Sequence, residues 1–105
     1  MRLEHDTTGA VFAALADPTR REVVRLLAER PGLTASALAD ELPVTRQAIA
    51  KHLAVLHDAG LAEVEREGRE ARYRLTPAPM ADAMAWMAST GARWDERLAR
   101  LHERL

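Results

Sequence analysis

The sequence contains no cysteine and few aromatic residues, and both features exclude whole classes of protein. Without cysteine there are no disulfide scaffolds, thiolate metal centres, iron–sulfur clusters or cysteine nucleophiles. Aromatic residues make up 4% of the chain, whereas hydrophobic residues make up 48%. A packed core must therefore be built mostly from Leu, Val, Ala and Met.

Long hydrophobic runs are also missing. No stretch of about 18 apolar residues occurs, and residues 1–16 lack the basic start and apolar centre of a secretory signal. We therefore expect neither a membrane span nor a signal peptide, and we expect a cytoplasmic protein.

Net charge and length set two further expectations. The formal net charge is -1, and a single lysine, Lys51, accompanies 14 arginines. Bulk charge therefore does not indicate a nucleic-acid binder, and that function would need a local cationic patch. A chain of 105 residues suits one domain, 1–105, and is short enough that pairing with a second copy would help to bury apolar surface.

Capping residues followed by apolar residues at helical spacing predict four helices in the first sixty residues. They run from Thr7 or Thr8 to about Ala16, from Pro18 behind an Asp17 cap to about Glu29, from Thr34 to about Leu42, and from Thr45 to about Ala59. Ile49, Leu53 and Leu56 form the apolar face of the fourth helix. The tight break at residues 43–44 makes 34–59 a helix-turn-helix unit.

Residues 61–76 change to a period of two, which predicts a β-hairpin, or wing, with its turn at Gly68 and Arg69. The expected pairs are Ala62 with Leu75 and Val64 with Tyr73 on one face, and Glu63 with Arg74 and Glu65 with Arg72 on the other. Opposite charges meet on the second face, so we expect these two arginines to be occupied by the facing glutamates. A two-residue and a four-residue turn fit this register equally well.

A last helix is predicted over about residues 80–104, and it carries an apolar seam. The seam residues are Met80, Met84, Met87, Gly91, Trp94, Leu98, Leu101 and Leu105, at alternating steps of four and three. This is the heptad period of a helix that packs along another helix. The seam therefore indicates an association surface.

Four helices, a hairpin and a last helix form the order of a winged helix-turn-helix, a mainly α fold with a small β-hairpin. The fourth helix is the candidate recognition helix, since residues 44–57 contain no acidic residue in a chain that has 16. The residues that we expect to contact DNA are Thr45, Arg46, Gln47, Lys51 and His52 in this helix, and Arg66 and Arg69 in the wing. Gln pairs with adenine, and Arg or Lys with guanine. His52 fits equally well a half-buried packing residue that touches a phosphate.

Three segments resemble the ArsR family of small bacterial winged-helix repressors. They are Ala14 to Arg21 (ALADPTRR), His52 to Leu61 (HLAVLHDAGL) and the wing from Gly68 to Tyr73, so that the resemblance covers about residues 10–76. It implies a homodimer, joined through the first and last helices, that binds an inverted-repeat operator. On that basis the expected dimer interface consists of Val11, Phe12, Leu15, Met84, Met87, Gly91, Trp94, Leu98 and Leu101.

The chain departs from the family's metal sensors. The thiolate sensors carry Cys-x-Cys at the end of the third helix, where this chain has Pro43 and Thr45. The zinc sensors carry Asp-x-His and His-x-x-Glu in the last helix. From Asp82 onward, the matching positions here hold Met84, Asp95 and Leu98. Zinc prefers His and Cys ligands, so we expect neither site and no cofactor. His5 and His102 are expected to be surface histidines, with a terminal metal site as the alternative.

The sequence therefore predicts a metal-independent repressor, possessing no enzymatic activity and capable of regulating its own gene. Neither Ser36 nor Ser89 has a histidine and an acid in a nucleophile motif, and no glycine loop suits a phosphate. Two alternatives stay open. One is a protein-interaction module on the same fold that does not bind DNA, and the other is a repressor that senses a hydrophobic small molecule at the methionine-rich dimer interface.

Overall fold

The structure is a computed structural model that describes residues 4–104, without the side chains of residues 4–7, 94 and 104. The elements are α1 (Glu4–Leu15), α2 (Pro18–Glu29), α3 (Ala35–Glu41), α4 (Arg46–Asp58), β1 (Ala62–Glu67), β2 (Glu70–Leu75) and α5 (Ala78–Arg104). This order confirms the predicted winged helix-turn-helix, a mainly α fold with one antiparallel hairpin. None of the described helices is both long and apolar enough to cross a bilayer.

Side-chain caps begin α2, α3 and α4 at the predicted residues. The Thr34 hydroxyl accepts a hydrogen bond from the backbone N–H of Ala37, and Thr45 accepts one from Ala48, each at 3.1 Å. The Asp17 carboxylate accepts a bond of 3.0 Å from the N–H of Arg20, and this bond holds the pKa of Asp17 below its usual value. Each cap satisfies an amide that the helix itself leaves without a partner.

The first helix begins earlier than predicted. Helix α1 is already formed at Glu4, so Thr7 and Thr8 lie inside it and not at its start. Thr8 is buried together with Val11 and Ala14, and a spacing of three residues places all of them on one helical face. Because α1 packs this face into the protein, the helix continues through the threonines. The prediction that Val11 lies at a dimer interface is wrong for the same reason, since its side chain is only 1% exposed.

The core is aliphatic, and Leu, Val and Ala fill it as the composition predicted, but the expected Met contribution is wrong: no Met belongs to the buried core cluster of the described residues. Its members are Val11, Ala14, Val23, Leu26, Leu27, Leu38, Ile49, Leu53, Leu56, Ala59, Leu61, Ala62 and Ala83. Helix α4 lies at its centre, where Ile49, Leu53 and Leu56 have no exposed surface and the helix packs against α2, α3 and β1. Gly60 ends α4 with a φ of 77°, a left-handed conformation that glycine adopts without steric strain.

The hairpin has the predicted register and a turn of two residues. Ala62 faces Leu75, Val64 faces Tyr73 and Glu67 faces Glu70. Gly68 has a φ of 60°, and no described residue other than glycine has a positive φ, so Arg69 does not. A positive φ at the first central position alone is the pattern of a type II′ turn, which the sequence had left open.

The ion pairs of the hairpin differ from those predicted. Arg72 binds Glu67 at 2.9 Å and Glu70 at 2.6 Å, and not the facing Glu65. Arg74 lies 3.9 Å from Glu65, not beside the facing Glu63. The backbone register is correct, but the strands twist, and a long arginine side chain reaches a diagonal neighbour as readily as the residue opposite.

Strand β2 is also attached to the loop before α3. The N–H of Gly32 donates to the carbonyl of Tyr73 at 2.9 Å, and the N–H of Tyr73 donates to the carbonyl of Leu33 at 3.0 Å. The Arg72 guanidinium adds a bond of 3.0 Å to the carbonyl of Gly32. These bonds set the wing beside the helix-turn-helix.

Helix α5 gives the chain an extended shape. The radius of gyration is 17.7 Å, whereas a compact domain of this length has about 13 Å. The apolar side chains exposed on α1 and α5 are Phe12 (38%), Met84 (60%), Trp86 (48%), Met87 (46%), Leu98 (53%) and Leu101 (57%). The rings of Phe12 and Trp86 meet edge to face, with centroids 6.0 Å apart. A large apolar face is thus left uncovered by the chain itself.

We predict that Leu53→Ala destabilises the fold by about 2–5 kcal/mol, because it opens a cavity where α4 meets the core. Val55→Ala on the same helix removes a side chain that is 39% exposed and should cost much less. Urea denaturation followed by circular dichroism would measure both. Equal losses in the free energy of unfolding of the two variants would contradict the central position of Leu53 in the core.

Candidate nucleic-acid interface

A groove of about 520 Å³ runs between the helix-turn-helix and the wing. It is lined by Thr34, Ala35, Ser36, Arg46, Gln47, Ala50, Arg66, Arg69, Glu70, Ala71 and Tyr73. The groove therefore joins the first turns of α3 and α4 to the tip of the hairpin. It brings together four of the residues predicted to contact DNA, namely Arg46, Gln47, Arg66 and Arg69.

The outward face of α4 follows from its buried face. Since Ile49 and Leu53 point into the core, the helical period turns Arg46, Gln47 and Lys51 toward solvent, and all three are exposed. Arg46 and Gln47 line the groove, whereas Lys51 lies outside its lining one turn farther along. The face thus offers a guanidinium, an amide and an ammonium group, with no acidic side chain between residues 44 and 57.

Thr45 has a structural task in addition to its predicted contact with DNA. Its hydroxyl already accepts a hydrogen bond from the N–H of Ala48. Thr45 therefore fixes where the recognition helix begins and how Arg46 and Gln47 are presented. The first-turn amides that it leaves open point out of the helix start and suit a phosphate.

His52 is half-buried and does not line the groove. Its Nδ1 lies 3.4 Å from Nη1 of Arg20. The same guanidinium donates to the carbonyls of Ala14 at 2.5 Å and Ala13 at 3.3 Å. Arg20 thus joins the end of α1 to the recognition helix. This geometry favours the packing interpretation of His52 over direct contact with a base.

The wing divides its arginines into two groups. Arg66 and Arg69 are exposed, line the groove and have no ion-pair partner among the described residues. Arg72 is held by two glutamates and a backbone carbonyl, and Arg74 lies near Glu65. The unpaired arginines are the two that the sequence selected as DNA contacts.

Three groove residues with hydroxyl groups were missed by the sequence analysis as contacts. They are Thr34, Ser36 and Tyr73. Tyr73 had been predicted only to face Val64 across the hairpin, and its half-buried side chain also lines the groove. A short polar side chain in the first turn of α3 was the available signal for Ser36, because that helix lies beside the recognition helix in a helix-turn-helix.

The structure does not fit the family's metal sites. Thr45 uses its hydroxyl as a helix cap, Pro43 has no donor, and Met84 and Leu98 supply no oxygen or nitrogen ligand. In the part of the chain that the structure describes, no three His, Cys, Asp or Glu residues are grouped to hold a metal ion. The proposed pair of His5 and His102 lies outside the described residues, since the His5 side chain is not among them.

Comparisons with known proteins agree with this geometry. Residues 15–65 match the family described as "Helix-turn-helix domain". The transcriptional repressor SdpR of Bacillus subtilis (strain 168) is 32% identical over 77 residues, which cover 73% of this chain and 84% of SdpR. The structure of an ArsR-like transcriptional regulator from Rhodococcus sp. RHA1 is 43% identical and superposes with a TM-score of 0.84, over 94% of this chain and 92% of that one.

A further solved structure is that of a homodimeric winged helix-turn-helix DNA-binding domain from Mycobacterium bovis, described as a possible ArsR-family regulator. It is 27% identical, with a TM-score of 0.64, over 90% of this chain and 84% of that one. The fold, the groove and these relatives together define a DNA-binding transcriptional regulator of the winged helix-turn-helix class. Within that class, the chain belongs to the ArsR family, a family of regulators and not of enzymes.

We predict that Gln47→Ala and Lys51→Ala weaken DNA binding in different ways. Gln47 lines the groove and suits an adenine, so its loss should relax the preference at one base position, at a cost of about 1–3 kcal/mol. Lys51 lies outside the groove and suits a phosphate. Its loss should therefore weaken binding to all DNA sequences equally and reduce the slope of log affinity against log salt concentration by about one. Fluorescence anisotropy at several salt concentrations would measure both.

Arg93→Ala, which removes one exposed positive charge from α5, is the control for Lys51→Ala. It should leave the salt slope unchanged. An unchanged slope in Lys51→Ala would remove Lys51 from the interface, and an unchanged base preference in Gln47→Ala would remove Gln47.

Proposed function

We propose that the protein is a metal-independent repressor that binds an inverted-repeat operator as a homodimer and regulates its own gene. The observation that carries the proposal is the groove in which Arg46, Gln47, Arg66 and Arg69 meet. Their elements are far apart in the sequence, and the fold assembles them on one surface. No acidic residue occurs over residues 44–57, and Glu70, which lines the groove, is paired with Arg72.

The groove suits a duplex whose major groove receives α4. In this arrangement Arg46 and Gln47 read base edges, Lys51 contacts the backbone, and the amides behind Thr45 receive a phosphate. Arg66 and Arg69 extend from the wing to the neighbouring backbone or minor groove. Affinity then comes largely from the cations and specificity from the first turn of α4.

The exposed apolar face supports the homodimer. Seven residues predicted for the interface are exposed or half-buried and lie on α1 and α5, among them Phe12, Leu15, Met84, Met87 and Leu98. Leu101 and Gly91 continue the same seam, and Trp94 occupies a seam position, although its side chain lies outside the described residues. Trp86 belongs to this face through its contact with Phe12. The homodimeric relative from M. bovis has the same fold.

The dimer represses transcription by occupying its operator. Two α4 helices in a two-fold dimer enter successive major grooves about 34 Å apart and so require two half-sites of opposite orientation. A dimer bound across a promoter excludes polymerase. Release does not depend on a metal, because Pro43 and Thr45 replace the two thiolates of one sensor site and Met84 and Leu98 replace two of the four ligands of the other.

The test is fluorescence anisotropy at physiological salt with two labelled duplexes. One comes from directly upstream of the protein's own gene, and the other is a scrambled duplex of equal length. We expect the first to bind at least about a thousandfold more tightly. A chelator should leave this binding unchanged. Equal weak binding to both would contradict self-regulation, and no binding to any duplex would favour the protein-interaction alternative.

We predict that Leu98→Arg breaks the dimer, because it places two charges in the apolar seam at the two-fold interface. Operator affinity should fall sharply, since each half-site is then bound alone. Ala92→Arg adds the same charge to an exposed position about 120° around α5 from Leu98 and outside the seam, and should stay dimeric. Sedimentation equilibrium would measure the association, and a Leu98→Arg protein that still sediments as a dimer would refute the interface.

A further inference from the structure

The guanidinium of Arg72, in the wing, donates three hydrogen bonds. Its Nε donates to Glu67 at 2.9 Å, its Nη2 donates to Glu70 at 2.6 Å, and its Nη1 donates to the carbonyl of Gly32 at 3.0 Å. One guanidinium therefore engages both carboxylates at the hairpin tip and the loop that precedes α3.

The two carboxylates lie where negative charge would oppose DNA. Glu67 and Glu70 face each other across the last pair before the turn, so the backbone alone would bring two like charges together. They flank the turn that carries Arg69, and Glu70 also lines the groove. Free carboxylates here would repel the phosphates that Arg66 and Arg69 are placed to meet.

The ion pairs of Arg72 add little to the stability of the fold. The side chains of Arg72, Glu67 and Glu70 are 38%, 58% and 55% exposed, and ion pairs at such exposure contribute little to folding. The consequence lies in the surface charge that the wing presents. Arg72 draws both carboxylates onto itself, whereas Arg66 and Arg69 have no ion-pair partner among the described residues.

We propose that Arg72 is a positioning residue for DNA binding, which holds the carboxylates of Glu67 and Glu70 and offsets one of their two negative charges. The proposal rests on the proposed contact between the wing and DNA. Arg72 acts through the two glutamates, since each of its three guanidinium nitrogens already donates to Glu67, Glu70 or the carbonyl of Gly32.

The experiment uses a labelled duplex that the wild-type protein selects from a random-sequence library. Arg72→Gln should bind this duplex about tenfold more weakly at 0.1 M salt, and the deficit should shrink as salt rises, because it comes from exposed like charges. Arg72→Lys, which keeps the charge within reach of the carboxylates, should retain most of the affinity.

The decisive variant is R72Q/E67Q/E70Q, which lacks the guanidinium and also both carboxylates. It should return to within about threefold of the wild type, because the two negative charges that Arg72 held are gone. The E67Q/E70Q protein, which retains Arg72, should bind at least as tightly as the wild type. The E67Q/E70Q protein keeps the proposal testable if Arg72→Gln alone fails to fold. Thermal unfolding would show whether Arg72→Gln folds.

Arg25 is a matched control. It also bridges two exposed glutamates, Glu22 at 2.8 Å and Glu29 at 2.9 Å, but on α2 and outside the groove. Arg25→Gln changes the net charge by the same amount and should leave affinity nearly unchanged.

Three results would overturn the proposal. If Arg72→Gln binds the duplex as tightly as the wild type does, Arg72 is not a positioning residue for DNA binding. If the triple variant stays as weak as Arg72→Gln, the guanidinium contacts DNA itself or acts only through the loop. If E67Q/E70Q binds more weakly than the wild type, the carboxylates assist binding, as an acid that accepts from cytosine would. Failure of the wild type to enrich any duplex would refute DNA binding itself, and this proposal with it.

Discussion

The DNA-facing surface depends on the burial of one face of α4. Ile49, Leu53 and Leu56 have no exposed surface, and together they fix the rotation of the helix about its own axis. Once that rotation is set, the period of 3.6 residues determines which side chains point outward. Arg46 and Gln47 then enter the groove. A specific contact to a base edge needs a fixed side-chain origin, and this core packing supplies it.

A chain of nearly neutral charge produces a cationic face by pairing its acids elsewhere. Arg25 holds two glutamates of α2, Arg30 binds Glu41, and Arg72 holds the acids of the wing tip. The recognition helix has no acid over residues 44–57 to be paired. The net charge of the chain therefore does not indicate DNA binding, because affinity for DNA depends on the local electric field and not on the summed charge of the chain.

Two structural units meet at the second helix. Helices α1 and α5 pack together and carry the exposed apolar face, whereas α3, α4 and the wing form the groove. Arg20 connects them, since its guanidinium binds the last carbonyls of α1 and approaches His52 of α4. The placement of the recognition helix relative to the association surface is thereby built into the fold, and a dimeric regulator needs that placement for half-site spacing.

The sequence by itself determined the helix starts at Asp17, Thr34 and Thr45 and the hairpin register, because caps and alternation are local patterns. It also indicated the family, through the resemblance of three segments to ArsR regulators. Only the tertiary structure decided the early start of α1, the burial of Val11, the type of turn at Gly68, the diagonal ion pairs of Arg72 and the position of His52 beside Arg20. Each of these depends on strand twist, side-chain rotamers or packing between elements that are distant in the sequence, and none of these is encoded in local spacing. For the same reason the outward residues of α4 were predictable, while the groove that unites them with the wing was not.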